Sequence, residues 1–442
     1  MHRSIAPGIG AGFRNVGREV QSAIYRAGVF GRTPVVPVEP AALEAAARRR
    51  MTARGWSYVA GGAGQQRTVA ANTAAFERYR IVPRQLVDVG ERSLATTLLG
   101  RDLPAPLLFA PIGALELAVS GGPDAAEPPL ARAAAELGLP LVISSQASTT
   151  MESTAEALGE SPRWFQLYWS SSDDVVESFV SRAEACGCDA LVVTLDTHVL
   201  GWRTRDLDLG YLPFARGEGI AQYVSDPAFR RLVEARAAGL LGDGGAAAAP
   251  TPRPTPAAVR SLLSMARHYP GRLRDNLRSP LPRAAVETFL DVFSRSTLTW
   301  ADLAWLRERT RLPIVVKGVQ HPDDARRALD AGVDGVVVSN HGGRQIDNAV
   351  ASLDALPGVA DAVAGRVPVL FDSGIRSGAD VFVALALGAD AVLLGRPWVY
   401  GLALAGAEGV RAVTQHVLAE LDLTMALAGV RTVAEIGREQ LG

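Results

Sequence analysis

From about residue 100 onward, short apolar runs alternate with alanine-rich stretches at helical spacing. Eight runs stand out: Leu107 to Ala110, Leu141 to Ile143, Trp164 to Tyr168, Ala190 to Val193, Ile314 to Val316, Val336 to Val338, Val369 to Phe371 and Ala391 to Leu394. They are continuous rather than alternating, which is the pattern of strands buried on both faces, as in a parallel sheet covered by helices. The stretch after the fifth run opens with Pro322-Asp323-Asp324 and closes at Gly332. That is a helix with a proline where no N–H partner is needed, carboxylates at its positive end and a glycine to stop it. Eight strand–helix units predict an α/β chain folded as a (β/α)8 TIM barrel. The alternative, a doubly wound open sheet, would more often carry a G-x-G-x-x-G turn after its first strand, and the chain has none there.

Ahead of the barrel, an arm runs to about Pro37, and a helix is predicted from Pro40 through Ala47, ending at Gly55. The expected organisation is therefore an N-terminal arm and helical segment over 1–100 and a barrel over 101–442. Pro128-Pro129 reads as an interruption of the helix after the first strand. Between the fourth and fifth runs lies an insertion over about 200–300, containing a Gly/Ala/Pro-rich patch over 239–256 that is poorly suited to a packed core. A loop leaving the C-terminal end of a barrel strand lies over the active-site face, so the insertion is expected as a lid. For the patch itself, lid and flexible linker both stay open.

Composition narrows the function classes. Lys plus Arg number 45 and Asp plus Glu 46, so there is no net basic field to attract nucleic acid or an anionic membrane. The longest apolar stretch, Val381 to Leu394, is broken by Gly388 and Asp390, short of the roughly 18 residues of a membrane span. With no signal-peptide core at the N-terminus, the expectation is a soluble, cytoplasmic protein. Its two cysteines, Cys186 and Cys188, are too close for an easy bridge and have no further thiols for a zinc site, so no metal is expected.

Polar residues gather where the apolar runs end: Ser144-Ser145, Gln166 and Tyr168, Thr194 and Asp196, Lys317, Ser339-Asn340-His341, Asp372-Ser373, and Gly395-Arg396. In a barrel those ends share one face, the face that carries active sites. His341 has the side chain suited to proton transfer near neutral pH, Gly342-Gly343 allow close backbone approach, and Arg344 offers a fork that grips a carboxylate. Lys317 ends an apolar strand, a costly place for an ammonium unless an anion awaits it. Asp372 to Gly378 and Gly395-Arg396 end the seventh and eighth runs, where barrels commonly build phosphate sites. The residues alone suggest a phosphate-anchored ligand and a carboxylate-bearing substrate flanking a histidine.

Ser339 to Gln345 resembles the active-site signature of the FMN-dependent 2-hydroxy acid oxidase and dehydrogenase family. Tyr58 to Ala63, Ala110-Pro111-Ile112-Gly113, Phe165 to Tyr168, Thr194 to Thr197, Val316-Lys317-Gly318, Asp372 to Arg376 and Gly395-Arg396-Pro397 follow in that family's order. Within it, Ile24-Tyr25, Ser57 to Gly62, Leu200 to Leu207, Leu212-Pro213-Phe214, Gln320 to Ala325 and Phe371 to Arg376 are most similar to lactate 2-monooxygenase.

The resemblance implies FMN as cofactor, a small L-2-hydroxy acid and O2 as reactants, and a homo-oligomer of four or eight chains. It implies that His341 is the catalytic base, Asp196 the partner of its imidazolium, and Lys317 the stabiliser of negative charge on the flavin. Arg203 and Arg344 would hold the substrate carboxylate, with Tyr58 and Tyr168 hydrogen-bonding the substrate. Pro111, Ile112, Gly113, Ser144, Gln166, Thr194 and Ser339 would contact the flavin, with Asp372, Gly374, Arg376, Gly395 and Arg396 toward its phosphate end. Gln146 departs from the family, many of whose members place an aromatic residue there. The reaction expected first is that of lactate 2-monooxygenase, L-lactate and O2 to acetate, CO2 and water. The alternatives are an oxidase releasing the 2-keto acid and hydrogen peroxide, and a flavin-free barrel enzyme that binds a phosphorylated metabolite.

Overall fold

The computed structural model describes residues 13–239 and 255–442, so most of the Gly/Ala/Pro patch lies outside the described residues. The eight apolar runs form the strands of a closed parallel barrel: β1 (Leu107–Phe109), β2 (Leu141–Ile143), β3 (Arg163–Leu167), β4 (Ala190–Thr194), β5 (Ile314–Val319), β6 (Gly335–Val338), β7 (Val369–Phe371) and β8 (Ala391–Leu394). Neighbours in sequence are neighbours in the barrel, and β8 closes on β1 with Val392 opposite Leu107.

Because successive strand residues point to opposite faces, each run splits into two cores. Leu108, Val142, Trp164, Val192, Val315, Val337, Leu370 and Leu393 fill the barrel interior. Phe109, Ile143, Phe165, Val193, Val316, Val338, Phe371 and Leu394 face out into the larger core shared with the helices. One more inward step toward the C-terminal end of each strand reaches Ala110, Ser144, Gln166, Thr194, Lys317, Ser339, Asp372 and Gly395. The pleat that packs the interior therefore also converges the polar residues above it.

The opposite end is closed by an antiparallel hairpin, Thr96–Leu98 with Arg101–Leu103, whose Leu98 and Leu103 join the inner apolar cluster. Burying each leucine contributes about 1.5–3 kcal/mol. The boundary expected near residue 100 falls in the turn of this plug.

Several local expectations are corrected. The helix from Pro40 ends at Arg50, and a second helix, Ala53–Ala60, begins behind Thr52, whose Oγ1 accepts the Gly55 amide at 3.0 Å. Gly55 lies inside that helix rather than ending one, because a side chain there would start 2.0 Å from the Leu117 carbonyl oxygen. Pro128-Pro129 sit in the first turn of the helix Glu127–Leu137, where a missing N–H costs nothing. The arm itself holds a helix, Val16–Val29, packed on the long C-terminal helix Arg396–Ala428.

The insertion is mainly helical, with Thr204–Asp208, Pro227–Ala237, Pro256–His268 and Leu281–Val292 as its principal helices. Its Tyr223 ring meets Phe289 at 4.8 Å and Phe179, on the barrel's helix Asp173–Ala185, at 4.9 Å, so the insertion is tied into the main core. Among the described residues no helix is long and apolar enough to cross a membrane.

Candidate active site

A cleft opens at the C-terminal ends of the strands, with about 880 Å³ of empty space counted to its mouth. Tyr58, Pro111, Ile112, Gly113, Tyr168, Arg203, Lys317, His341, Arg344, Asp372, Gly374, Arg376, Gly395 and Arg396 line it. Ser144, Gln166, Thr194, Ser339 and Asp196 stand behind that wall, hydrogen-bonded to one another or to residues in it.

His341 follows β6 in a tight turn with a left-handed backbone, φ 58°. Two hydroxyls brace this turn: Ser339 Oγ accepts the His341 amide at 3.0 Å, and Ser373 Oγ accepts that of Gly342 at 2.9 Å. The ring lies 3.0 Å from Asp196 Oδ1 through Nδ1, while Nε2 turns to the cleft 3.4 Å from the Tyr168 hydroxyl. A carboxylate at Nδ1 fixes the tautomer that leaves Nε2 free to accept a proton. Burial holds His341 below the ordinary histidine value, outweighing the upward pull of Asp196. Asp196 is also buried, but His341 and Lys317 keep it below the usual carboxylate value. The pair is thus an imidazole base beside a permanent carboxylate.

Lys317, at the end of β5, places Nζ 2.9 Å from Asp372 Oδ2 and donates to Ser339 Oγ at 2.8 Å. Burial alone would lower its pKa; the Asp372 and Asp196 carboxylates reverse that and hold the ammonium above its ordinary value. Beneath the cleft, Ser144 Oγ donates to Gln166 Oε1 at 3.1 Å, and Gln166 Nε2 donates to Thr194 Oγ1 at 3.1 Å. This chain of polar groups crosses β2, β3 and β4 and gives the floor a row of aligned hydrogen-bonding groups.

The arginines divide into two kinds. Arg344 stacks over the Tyr58 ring at 4.9 Å and donates to the carbonyls of Tyr58 and Gly61. Burial and neighbouring Arg203 push its pKa down to about 9, leaving it charged at neutral pH with no carboxylate bonded to it among the described residues. Arg203 reaches Gln345 Oε1 at 3.3 Å, and its buried Nε has no hydrogen-bond partner among the described residues. Two cations short of an anion face the histidine. Arg396, by contrast, spends its nitrogens on the carbonyls of Val59, Gly342 and Gly61 at 2.9–3.0 Å. It staples the Ala53–Ala60 helix end to the His341 turn as well as lining the cleft.

The sequence places Asn340 at a strand end, Gln345 in the signature stretch and Asp206 within a longer resemblance, but it shows the partners of none of them. Gln345 donates to the carbonyls of Asp196 at 2.6 Å and Val199 at 2.9 Å while accepting from Arg203, tying that arginine to the loop after β4. Asp206 accepts from Ser57 Oγ at 2.8 Å and anchors the residue beside Tyr58. Asn72 and Asn340 exchange side-chain amide hydrogen bonds at 2.7–2.8 Å. All are long-range pairings between polar residues of ordinary type.

Comparison with known proteins bears on what the cleft holds. Residues 47–442 match the family described as FMN-dependent dehydrogenase. The chain is 39% identical to the FMN-dependent alpha-hydroxy acid dehydrogenase qulF of Penicillium citrinum over 95% of this chain and 94% of that one. It is 38% identical to an L-lactate oxidase of Lysinibacillus sphaericus, covering 90% of each chain. A crystal structure of mandelate oxidase superposes with a TM-score of 0.72 at 32% identity, covering 92% of this chain and 98% of that one.

The cleft's own residues fit FMN. Gly395 leaves the space above it open: the nearest atoms to a side chain built there are Ala110 Cβ at 3.9 Å and Ile112 Cδ1 at 4.0 Å. A molecule can therefore lie across the strand ends at that point. Lys317 brings a buried positive charge to the cleft, and Gly374, Arg376 and Gly395 line it as well, a donor chemistry that fits a flavin ring and a phosphate. The family match sets a flavin-free barrel enzyme aside. The chain belongs to the FMN-dependent dehydrogenase family and is an FMN-dependent oxidoreductase.

Proposed function

We propose that the protein is an oxidase of small L-2-hydroxy acids, with L-lactate the first to try, converting the acid and O2 to the 2-keto acid and hydrogen peroxide. The observation that carries this reading is His341, held in its neutral form with Nδ1 on Asp196 and Nε2 open to a cleft edged by Arg203 and Arg344. When bound, FMN would supply the two-electron acceptor and the reactivity toward O2. Arg344 and Arg203 grip the substrate carboxylate and fix its orientation, and the Tyr58 and Tyr168 hydroxyls hydrogen-bond the substrate. His341 Nε2 takes a proton from the substrate, and Asp196 steadies the imidazolium through Nδ1–H. Lys317 presents its ammonium where negative charge develops, in a setting that already holds it charged. Ser144, Gln166, Thr194 and Ser339 support the floor, with Pro111, Ile112 and Gly113 along one wall and Asp372, Gly374, Arg376, Gly395 and Arg396 toward the phosphate end.

Sequence resemblance alone favours the monooxygenase outcome, in which retained keto acid is decarboxylated by peroxide. The oxidase outcome has the better support, because the relatives at 38–39% identity are named as a lactate oxidase and an alpha-hydroxy acid dehydrogenase. Aerobic incubation with L-lactate separates the two. Pyruvate and hydrogen peroxide in equal amounts are expected; acetate with CO2 would show retention instead, and no flavin reduction by any 2-hydroxy acid would defeat both. Assembly into a homo-oligomer of four or eight chains belongs to the same proposal. It is supported by exposed apolar side chains on the arm, including Tyr25 at 69% and Phe30 at 80%, and checked by light scattering.

A further inference from the structure

The helix Arg67–Ala74 precedes the barrel strands in the chain and lies against the loop that carries His341. It has no side-chain cap of its own, and the loop supplies one: Asp347 accepts the amides of Gln65 at 2.6 Å and Arg67 at 2.7 Å. Thr68 Oγ1 donates to the Ile346 carbonyl at 2.9 Å and accepts the Ala349 amide at 2.9 Å. Gly343 lets the helix come this close, because a side chain there would begin 2.7 Å from the Val69 amide nitrogen.

The deepest contact joins Asn72, 2% exposed, to Asn340, 5% exposed. Asn72 Nδ2 donates to Asn340 Oδ1 at 2.8 Å and Asn340 Nδ2 donates to Asn72 Oδ1 at 2.7 Å, which closes a ring of two amides. Each oxygen has a second task. Asn340 Oδ1 accepts the Gly343 amide at 3.0 Å, and Asn72 Oδ1 accepts that of Ser352 at 3.1 Å. His341 lies between Asn340 and Gly343, so the side chain that Asn72 holds spans the turn in which the histidine is left-handed. A residue other than glycine keeps that conformation only where its surroundings impose it. Ser339 and Ser373 brace the turn from the strands; Asn72 braces it from the helix.

We infer that Asn72 is a positioning residue for the reaction: through Asn340 it holds His341 at the angle from which Nε2 meets the substrate. The inference rests on the reading of His341 as the base and adds the group that sets its place. Asn72 is not among the residues lining the cleft. Arg344 is tethered separately, to the carbonyls of Tyr58 and Gly61. Opening the amide ring should therefore misplace the histidine while flavin and carboxylate binding stay close to normal.

The test is anaerobic flavin reduction by L-lactate in the FMN-loaded enzyme, comparing wild type, His341→Ala, Asn72→Leu and Asn72→Asp. Asn72→Leu keeps the shape without the hydrogen bonds. Its limiting rate is expected to fall about 10²-fold, the cost of misplacing a reacting group by about 1 Å. The half-saturating L-lactate concentration should stay within about threefold, the mark of a contribution felt in the transition state. Asn72→Asp keeps the two bonds that Oδ1 accepts and can donate the third only as the protonated acid, so its rate relative to wild type should fall as pH rises. A normal limiting rate in Asn72→Leu, a rate and half-saturation that worsen together, or loss of folding or FMN in both variants overturns the inference. Should Asn72→Leu alone fail to fold, the pH trend of Asn72→Asp decides, and a flat ratio overturns it. If His341→Ala is reduced as fast as wild type, or L-lactate reduces neither, the parent reading itself fails and takes the inference with it.

Discussion

Two pairs, each an aspartate with a basic side chain, occupy adjoining parts of the cleft and end in opposite states. His341 and Asp196 sit 3.0 Å apart, with side chains 16% and 15% exposed; Lys317 and Asp372 sit 2.9 Å apart and are buried slightly more deeply. In the first, burial prevails and the histidine is held without its proton; in the second, two carboxylates prevail and the lysine keeps its own. The difference lies in the starting points. Histidine begins near neutrality, where desolvation alone tips it to the neutral form, whereas lysine begins far above it and has two aspartates in support. One cleft can therefore hold a proton acceptor and a permanent cation at the same pH.

The comparison can be broken at either end. His341→Ala removes the acceptor and should slow anaerobic flavin reduction by about 10²–10⁴-fold while the FMN absorbance of the purified protein persists. Near-normal reduction in stopped flow would mean that the proton goes elsewhere. Lys317→Met leaves Asp372 buried without its counter-charge, a loss of about 3–5 kcal/mol that should appear as a lower Tm and weaker FMN retention. An unchanged melting profile would show that the pair is dispensable. Arg344→Met should act on substrate rather than flavin, raising KM by about thirtyfold, or about 2 kcal/mol, with the FMN spectrum intact.

The smallest effect is the sharpest. In the proposed mechanism His341 works in its neutral form, and burial holds it below the ordinary histidine value, so kcat/KM should fall on the acid side with a midpoint below that of a free histidine. The proton that inactivates it is also one the folded site binds less readily than the unfolded chain, so acid both silences and destabilises this site. Asp196→Asn removes the group that pulls the histidine upward, and the residual activity should titrate at still lower pH. A midpoint that rises instead would reverse the assignment of Asp196.

Much of this was legible in the sequence because periodicity and pleat obey few rules. Continuous runs such as Ile314 to Val316 announced buried strands, and Lys317 at the end of one announced a buried charge with a partner. Local signals failed where tertiary contact overrode them. Gly55 looked like a stop but serves close packing on Leu117, and Pro128-Pro129 looked like a break but begin a helix. The helix Val16–Val29 escaped because Asn15, at its start, makes no side-chain cap. At the site, the residue types that carry chemistry were visible, whereas the carbonyls of Val59, Gly61 and Gly342 that hold Arg396 could not be, since backbone partners leave no mark on composition.

The hairpin that plugs the barrel floor with Leu98 and Leu103 has a kinetic consequence. With the N-terminal end sealed by side chains, the hydroxy acid comes in, and the keto acid goes out, through the mouth at the other end. With the floor shut, product and the next acid share the mouth of the cleft, so the next acid waits until the previous product has left. If Arg203 and Arg344 hold the carboxylate as proposed, their grip becomes a clock, since tightening it to gain affinity for the acid also lengthens the stay of the keto acid, which carries the same carboxylate. Under saturating substrate, turnover would follow how fast that doorway empties, and substitutions in the clamp would tune the rate of exit as directly as the strength of binding.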